Sequence, residues 1–276
     1  MKPRVLISDV TGTFFENEPE LDVAEVLNIN HPGIVDDIRE ALEGDNLWAD
    51  SIRNAYTVYN RFGIRKQEHY NAVKEVIDKT KPIWSTIKFV ESFPSLELLI
   101  PVTGGSIIPT FLNMRKYVEP YTKAKIAPLA TLLEEDKYGV IKDNPFICGP
   151  NTRNIVATDF RKEATTIGIA DEGGCPDHEY LERCHAGVQV SKDSKKGYQR
   201  QKGTNLFYNV NPHELSMVSW EIQKLPNPSL PNGEMSLEKY FPEEHGQLME
   251  GYLFTIALGT VLYQKLKKSL VKKMRI

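Results

Sequence analysis

The chain of 276 residues carries 34 Lys and Arg against 37 Asp and Glu, a formal net charge of −3, with 41% hydrophobic and 26% charged residues. That is material for one large domain, or for a domain with a sizeable insertion, in an ordinary globular composition, and it supplies no overall basic field to draw the chain to nucleic acid. Three cysteines without a framework pattern (Cys148, Cys175, Cys184) point to a reducing compartment, Met-Lys-Pro-Arg lacks a signal-peptide pattern, and the apolar run Tyr252 to Tyr263 is too short to span a bilayer, so the expected location is cytoplasmic and off the membrane.

In chain order, "VLISDVTGTFF" (residues 5–15) opens with Val5, Leu6 and Ile7, an apolar run that stops at Ser8-Asp9. A short run without alternation fits a strand buried on both faces, as in a parallel sheet. From about residue 20 to 92, "LDVAEVLN", "GIVDDIREALEG", "LWADSIRNAYTVYNRFG" and "EHYNAVKEVIDKT" read as successive amphipathic helices, with Gly44 and Gly63 as stop signals. "LELLIPVTGG" (96–105) reads as the next buried strand, although Pro101 removes a ladder donor and argues for a short or bulged one. Gly104-Gly105 then turn the chain into a helix, "SIIPTFLNMRKYV". "LATLLEEDKYGVI" reads as a hairpin turning between Asp136 and Gly139. "TRNIVATDFRKEA" fits a helix, "TTIGIAD" a buried strand ending at Asp171, "EYLERCHAG" a short helix and "VQVS" a further strand. Lys192 to Gly203 is a basic, polar loop and Pro226 to Pro231 a linker. The last helix, about Gln247 to Lys272, lines up Leu258, Leu262, Leu266, Leu270 and Met274 on one face, for packing on the body or on a second copy in a homodimer.

Strands alternating with helices imply an α/β fold with a parallel sheet, in which ligands bind at the carboxyl ends of the strands. Three strands end there in polar residues, Asp9, Thr103 and Asp171, each followed closely by glycine, which lets the backbone bend and present N–H groups to an anion. A carboxylate nucleophile, a hydroxyl for a phosphate oxygen and a second carboxylate for a cation form a coherent phosphoryl-transfer set.

These segments resemble the motifs of the haloacid dehalogenase (HAD) superfamily: "LISDVTGTF" its first motif, "LLIPVTGG" its second, and "IGIADEGGCPDHEYLERCHAGVQVS" its fourth. The resemblance covers residues 1–15 and about 93–210. It implies a HAD-like Rossmannoid core over 1–15 and 93–225, a helical cap inserted over 16–92, and a C-terminal linker and helix over 226–276. It also implies a magnesium-dependent phosphohydrolase acting on a small phosphorylated metabolite through an aspartyl phosphate. Asp9 would be the nucleophile; Asp9, the Thr11 carbonyl, Asp171 and Asp177 or Glu172 would hold Mg2+; Thr103 and Gly104 would bind the phosphate. The sequence departs from the pattern in three places. Thr11 stands where hydrolytic members carry an aspartate as general acid and base, and a hydroxyl cannot serve as that base near neutral pH. The fourth-motif loop is two residues longer than usual. The third-motif lysine has two candidates, Lys142 before the preceding helix and Lys162 at its far end, while Arg153 occupies the helix start.

Simpler readings stand beside these: a strand-end turn for Asp9, an ST-turn for Thr103, helix capping for Asp177, and solvated surface lysines for Lys142 and Lys162. Cys175, His178, Cys184 and His185 have a spacing that suits zinc, although neighbours on a helix diverge by about 100°. The rival for the whole chain is a HAD-like binding or scaffold protein without turnover, motivated by Thr11 and the unplaced lysine.

Overall fold

The computed structural model describes residues 1–43, 48–143, 148, 150–171, 175–191, 199–200 and 206–234. The C-terminal helix expected at 247–272 lies outside them, as does the basic loop expected at 192–203 except for residues 199–200, which form a short strand and not a loop. The first strand, β1 (Val5–Ser8), is buried throughout and leads into the helical block: α1 (Pro19–Leu27), α2 (Ile34–Glu43), α3 (Trp48–Arg61) and α4 (Lys66–Val76). Then come α5 (Trp84–Glu91), β2 (Leu98–Ser106), α6 (Ile107–Tyr117), β3 (Lys125–Ile126) and β4 (Leu129–Thr131). The remainder is α7 (Pro150–Phe160), β5 (Thr166–Asp171), α8 (Cys175–Arg183), β6 (Ala186–Val190), β7 (Gln199–Arg200), β8 (Leu206–Val210) and α9 (Leu215–Lys224).

The strands form one sheet in the order β3-β2-β1-β5-β6-β8-β7, with β4 also pairing β2; every pair is parallel except β7 with β8. The chain builds outward from β1 through β2, then crosses back to β5 on the other side, so the crevice beyond the end of β1 is the switch point where such sheets bind ligands. Period-2 alternation sends Leu6, Leu99, Ile167, Ile169 and Val188 to one face, packed with side chains of α5, α6 and α9. Val5, Ile7, Leu98 and Ile100 go to the other, packed with α7 and α8.

Pro101 sits inside β2, next to the central strand, and the ladder accommodates it by parity. Glu97 O and Leu99 O accept from Lys125 N (2.9 Å) and Ala127 N (2.8 Å), so odd-numbered residues of β2 direct their polar groups toward β3. The missing N–H of Pro101 falls on that side, where pairing with β3 ends at Leu99 and pairing with β4 begins at Val102.

The helical block has its own core, including Val23, Ile38, Tyr56, Tyr59 and Val73 from α1 to α4, with Leu133 and Ile141 packed into it from the segment after β4; the hairpin expected over 129–141 is confined to about 134–142, because 129–131 pair in parallel with β2. Helix α5 does not belong to that core. Its Ile87, Phe89 and Val90 join the sheet cluster, so as a packed unit the block ends before residue 84 and not at 92. Amphipathic periodicity reports that a face is buried, not what buries it. The block is joined to the sheet by a paired neck: Glu16 N donates to Lys81 O (3.0 Å), Ile83 N to Phe14 O (2.7 Å) and Lys81 N to Asn17 Oδ1 (2.8 Å). Among the described residues no helix is long and apolar enough to cross a membrane.

Candidate active site

Asp9 follows β1 and stays in the ladder, its N–H donating to Ile169 O (3.1 Å). The chain then folds back at once: the Val10 carbonyl accepts from the N–H groups of Thr13, Phe14 and Phe15. Gly12 makes this possible with φ +76, and a Cβ there would stand 2.0 Å from Asp171 Oδ2. The glycine therefore supplies both the left-handed turn and the space that the Asp171 carboxylate fills. Thr13 Oγ1 accepts from Asp171 N (2.9 Å), which fastens the end of β5 to the same turn. Asp9 and Asp171 are thus brought to one crevice.

The cation facing Asp9 is Arg153, from the first turn of α7. Its Nη2 donates to Asp9 Oδ1 and its Nε to Val102 O (3.1 Å), so one planar guanidinium ties the end of β1 to the middle of β2. It also lies over the Tyr180 ring at 5.9 Å, while the Tyr180 hydroxyl donates to Ile169 O (2.6 Å). Asp9 and Arg153 are 7% and 5% exposed, so the pair is shielded from water. Burial pushes the Asp9 carboxyl above its ordinary value; Arg153 and the backbone at Val10 pull it down, and the Asp171 carboxylate pushes it up again.

Thr103 lies on β2 one residue beyond Val102, buried, and its Oγ1 accepts from Gly105 N (3.2 Å). The ST-turn is therefore formed, and the hydroxyl keeps its proton to donate. Gly104 O is held by the Thr131 hydroxyl. A carboxylate from the helical block completes this rim: Glu20 of α1 is 1% exposed, and its Oε1 accepts from Ser106 N (2.7 Å) and from the Tyr56 hydroxyl (3.3 Å). A Cβ on Gly105 would lie 2.8 Å from that oxygen.

The structure does not bring the two candidate lysines to Asp9. Lys142 pairs with Glu134 (3.2 Å) and Lys162 with Asp159 (3.2 Å), both half-exposed. A lysine at either place is too far along the chain from the first turn of α7, which is the part of that helix aimed at the sheet end; Arg153 is there instead. The Asp177 side chain and Glu172 fall outside what the structure describes. Of the residues with zinc spacing, Cys184 is buried in the apolar cluster and His185 Nδ1 accepts from Thr166 N (3.1 Å). Among the described residues no group of three or more His, Cys, Asp or Glu side chains is arranged to hold a metal. Arg153 and Glu20 are the site residues that sequence reasoning did not assign. The position of Arg153 at a helix start was a usable signal; nothing in the spacing marked Glu20.

Three solved structures overlay on the chain: a HAD family hydrolase from Salmonella enterica serovar Typhi (TM-score 0.50, 20% identity, 68% of this chain and 62% of that one), a substrate-bound phosphoserine phosphatase (0.51, 14%, 69% and 87%), and a probable phosphoserine phosphatase from Vibrio cholerae (0.51, 12%, 82% and 68%). The fold is HAD-like. The chain thus spans less than two thirds of the length of the Salmonella protein. No protein-family model and no curated protein matches it. Within the HAD-like fold, the turn at Asp9, the end of β2 and the end of β5 are the three segments that the sequence motifs had marked.

Proposed function

We propose that the protein is a magnesium-dependent phosphohydrolase in which Asp9 attacks a small phosphomonoester in line and forms an aspartyl phosphate. One observation carries this reading: Asp9 is buried at the switch point, held by a guanidinium that is itself anchored to Val102 O, with the Asp171 carboxylate packed at Gly12 of the same turn. Arg153 has the planar fork that suits phosphate oxygens as well as a carboxylate, so it can pass from Asp9 to the incoming phosphoryl group. Thr103 donates its remaining proton to a phosphate oxygen, and the Gly104 backbone lies against the same group. The mutual repulsion of Asp9 and Asp171 fits a divalent cation between them, and Mg2+ binds through one or two carboxylates plus phosphate oxygens. Asp9, Asp171, the Thr11 carbonyl and Asp177 would hold that ion, which would neutralise charge on the transferred group. The helical block, tethered at the neck and touching Ser106 through Glu20, acts as a cap that excludes water and favours a small phosphorylated metabolite.

The test is phosphate release from a panel of small phosphomonoesters and p-nitrophenyl phosphate by the full chain with Mg2+. Activity is expected to vanish in Asp9→Asn and in chelator. Phosphate release that survives Asp9→Asn rules out the nucleophile. Tight binding of phosphoesters with no release and no trapped phosphoenzyme instead makes the chain a binding protein on a HAD-like fold.

A further inference from the structure

A second cleft lies where α4 of the helical block, α6 of the sheet layer and the 134–142 hairpin meet. Its volume of about 460 Å³ falls within the ~300–1,000 Å³ of small-molecule sites. Asp9, Thr103, Arg153 and Asp171 are not among the residues lining it, so it is distinct from the candidate active site. The floor is apolar. Ile108, Phe111 and Leu112 stand at i, i+3 and i+4 on α6 and so share one face. Each is only half-buried, although Ile108 and Leu112 already pack on the core of the helical block. Tyr70 of α4, also half-buried, adds an aromatic wall.

Two opposite charges line the same cleft: Lys66 in the first turn of α4 and Glu135 in the hairpin. Among the described residues neither has an ion-pair partner, and they do not pair with each other. Their backbones are fixed in relation to one another. Lys66 N donates to Gly139 O, Ile141 N to Ile64 O and Asp136 N to Val140 O, each at 2.9 Å. The cleft is therefore preformed, with one cation and one anion set beside an apolar floor. A purely apolar guest would leave both charges unmatched, and a guest with a single charge would leave one; a guest carrying one charge of each sign matches both.

We propose that this cleft binds a zwitterion with a large apolar side chain, an α-amino acid of the phenylalanine or leucine kind. Its carboxylate meets Lys66, its ammonium meets Glu135, and its side chain lies on Phe111, Leu112 and Tyr70. Such a ligand touches both α4 and α6, and so joins the helical block to the layer that carries Thr103. It binds the arrangement in which the two are docked and stabilises that arrangement by linkage. The ligand is an effector that holds the block in place, and the assignment does not depend on the aspartyl-phosphate reading.

Fluorine NMR of 4-fluoro-L-phenylalanine, titrated with the full chain in the absence of Mg2+ and phosphoester, tests this by binding alone. Saturable broadening that L-phenylalanine reverses is expected. Two further probes each lack one charge: 3-(4-fluorophenyl)propionate has no ammonium and 2-(4-fluorophenyl)ethylamine no carboxylate. Both are expected to bind about two- to fivefold more weakly, the scale of ion pairs open to water. Lys66→Met is expected to remove the advantage of the amino acid over the amine, and Glu135→Gln its advantage over the acid, each leaving the other advantage intact. Phe111→Ser is expected to weaken all three probes. Equal affinity for the three in wild type, or discrimination that survives both charge variants, overturns the assignment. Absence of saturable binding overturns it too; if Phe111→Ser then converts a dimer to a monomer in sedimentation, a second copy of the chain is what fills the cleft.

Discussion

Replacing Arg153 with methionine preserves much of the side-chain length and removes the charge that faces Asp9. Both partners are shielded, with side-chain exposures of 6% for Arg153 and 10% for Asp9. Removing one partner of such a buried pair costs about 3–5 kcal/mol, because the other charge is left uncompensated. At ~2–4 °C per kcal/mol for a chain of this order of size, the midpoint of thermal unfolding falls by about 6–20 °C. The loss carries a pH signature. Asp9 already has its carboxyl raised by burial and by Asp171, and Arg153 is the strongest influence holding it down. Without the guanidinium it rises further, so the folded variant binds more protons than the unfolded chain. Its stability therefore falls as pH rises from the ordinary carboxylate value to the raised folded one, and stays low above that. Urea unfolding in chelator at pH 4.5, 6 and 8 reads this directly, for wild type, Arg153→Met and Arg153→Met with Asp9→Asn. The deficit of the single variant is expected to be least at pH 4.5 and greatest at pH 8, and the added Asp9→Asn to recover most of it. A deficit that is flat in pH and untouched by Asp9→Asn would refute the claim that this ion pair holds the site together.

Gly12→Ala is expected to abolish phosphate release, because the new Cβ meets Asp171 Oδ2 and φ is positive there; retention of more than about a tenth of wild-type turnover, measured alongside circular dichroism, would argue against the close approach. His69, buried against Tyr59 in the helical block, has its imidazole pushed down to about 4 by burial. The unfolded chain takes up that proton first, so stability contributed above pH 6.5 is lost as pH falls toward 4, by about 3 kcal/mol for this one group. Urea midpoints across that range are expected to flatten in His69→Phe relative to wild type, and an unchanged slope would show that His69 is not buried neutral.

The strands that carry the site were legible because each ends a fully buried apolar run: Val5 to Ile7 before Asp9, and Ile167 to Ala170 before Asp171. The hairpin was legible too, since Gly139 takes a positive φ and Asp136 Oδ1 accepts from Tyr138 N and Val140 N. Arg153 was not assigned, because the expectation of a lysine outweighed position on the helix, and position is what aims a side chain at a sheet end. Strand β8 and helix α9 were missed: "LFYNV" follows a polar loop and alternates weakly, so its burial comes from parallel pairing with β6 and not from a pattern of its own. Glu18 and Glu20 read as the polar start of an amphipathic helix. Only the closure of the neck, which sets residue 15 beside residue 82, turns that start toward β2.

That neck also separates the length of the excursion from the stability of the sheet. Once Phe15 and Pro82 are bridged, the entropy of closing the intervening loop grows only with the logarithm of its length, roughly 0.6 kcal/mol for each doubling. Residues between the two neck strands can be added, shortened or repacked at little cost to the layer that carries Asp9, Arg153 and Asp171. The covering surface and the reacting groups are therefore free to change at different rates, and the two bonds through which Glu20 meets the rim of β2 and Tyr56 are where such changes would be felt first.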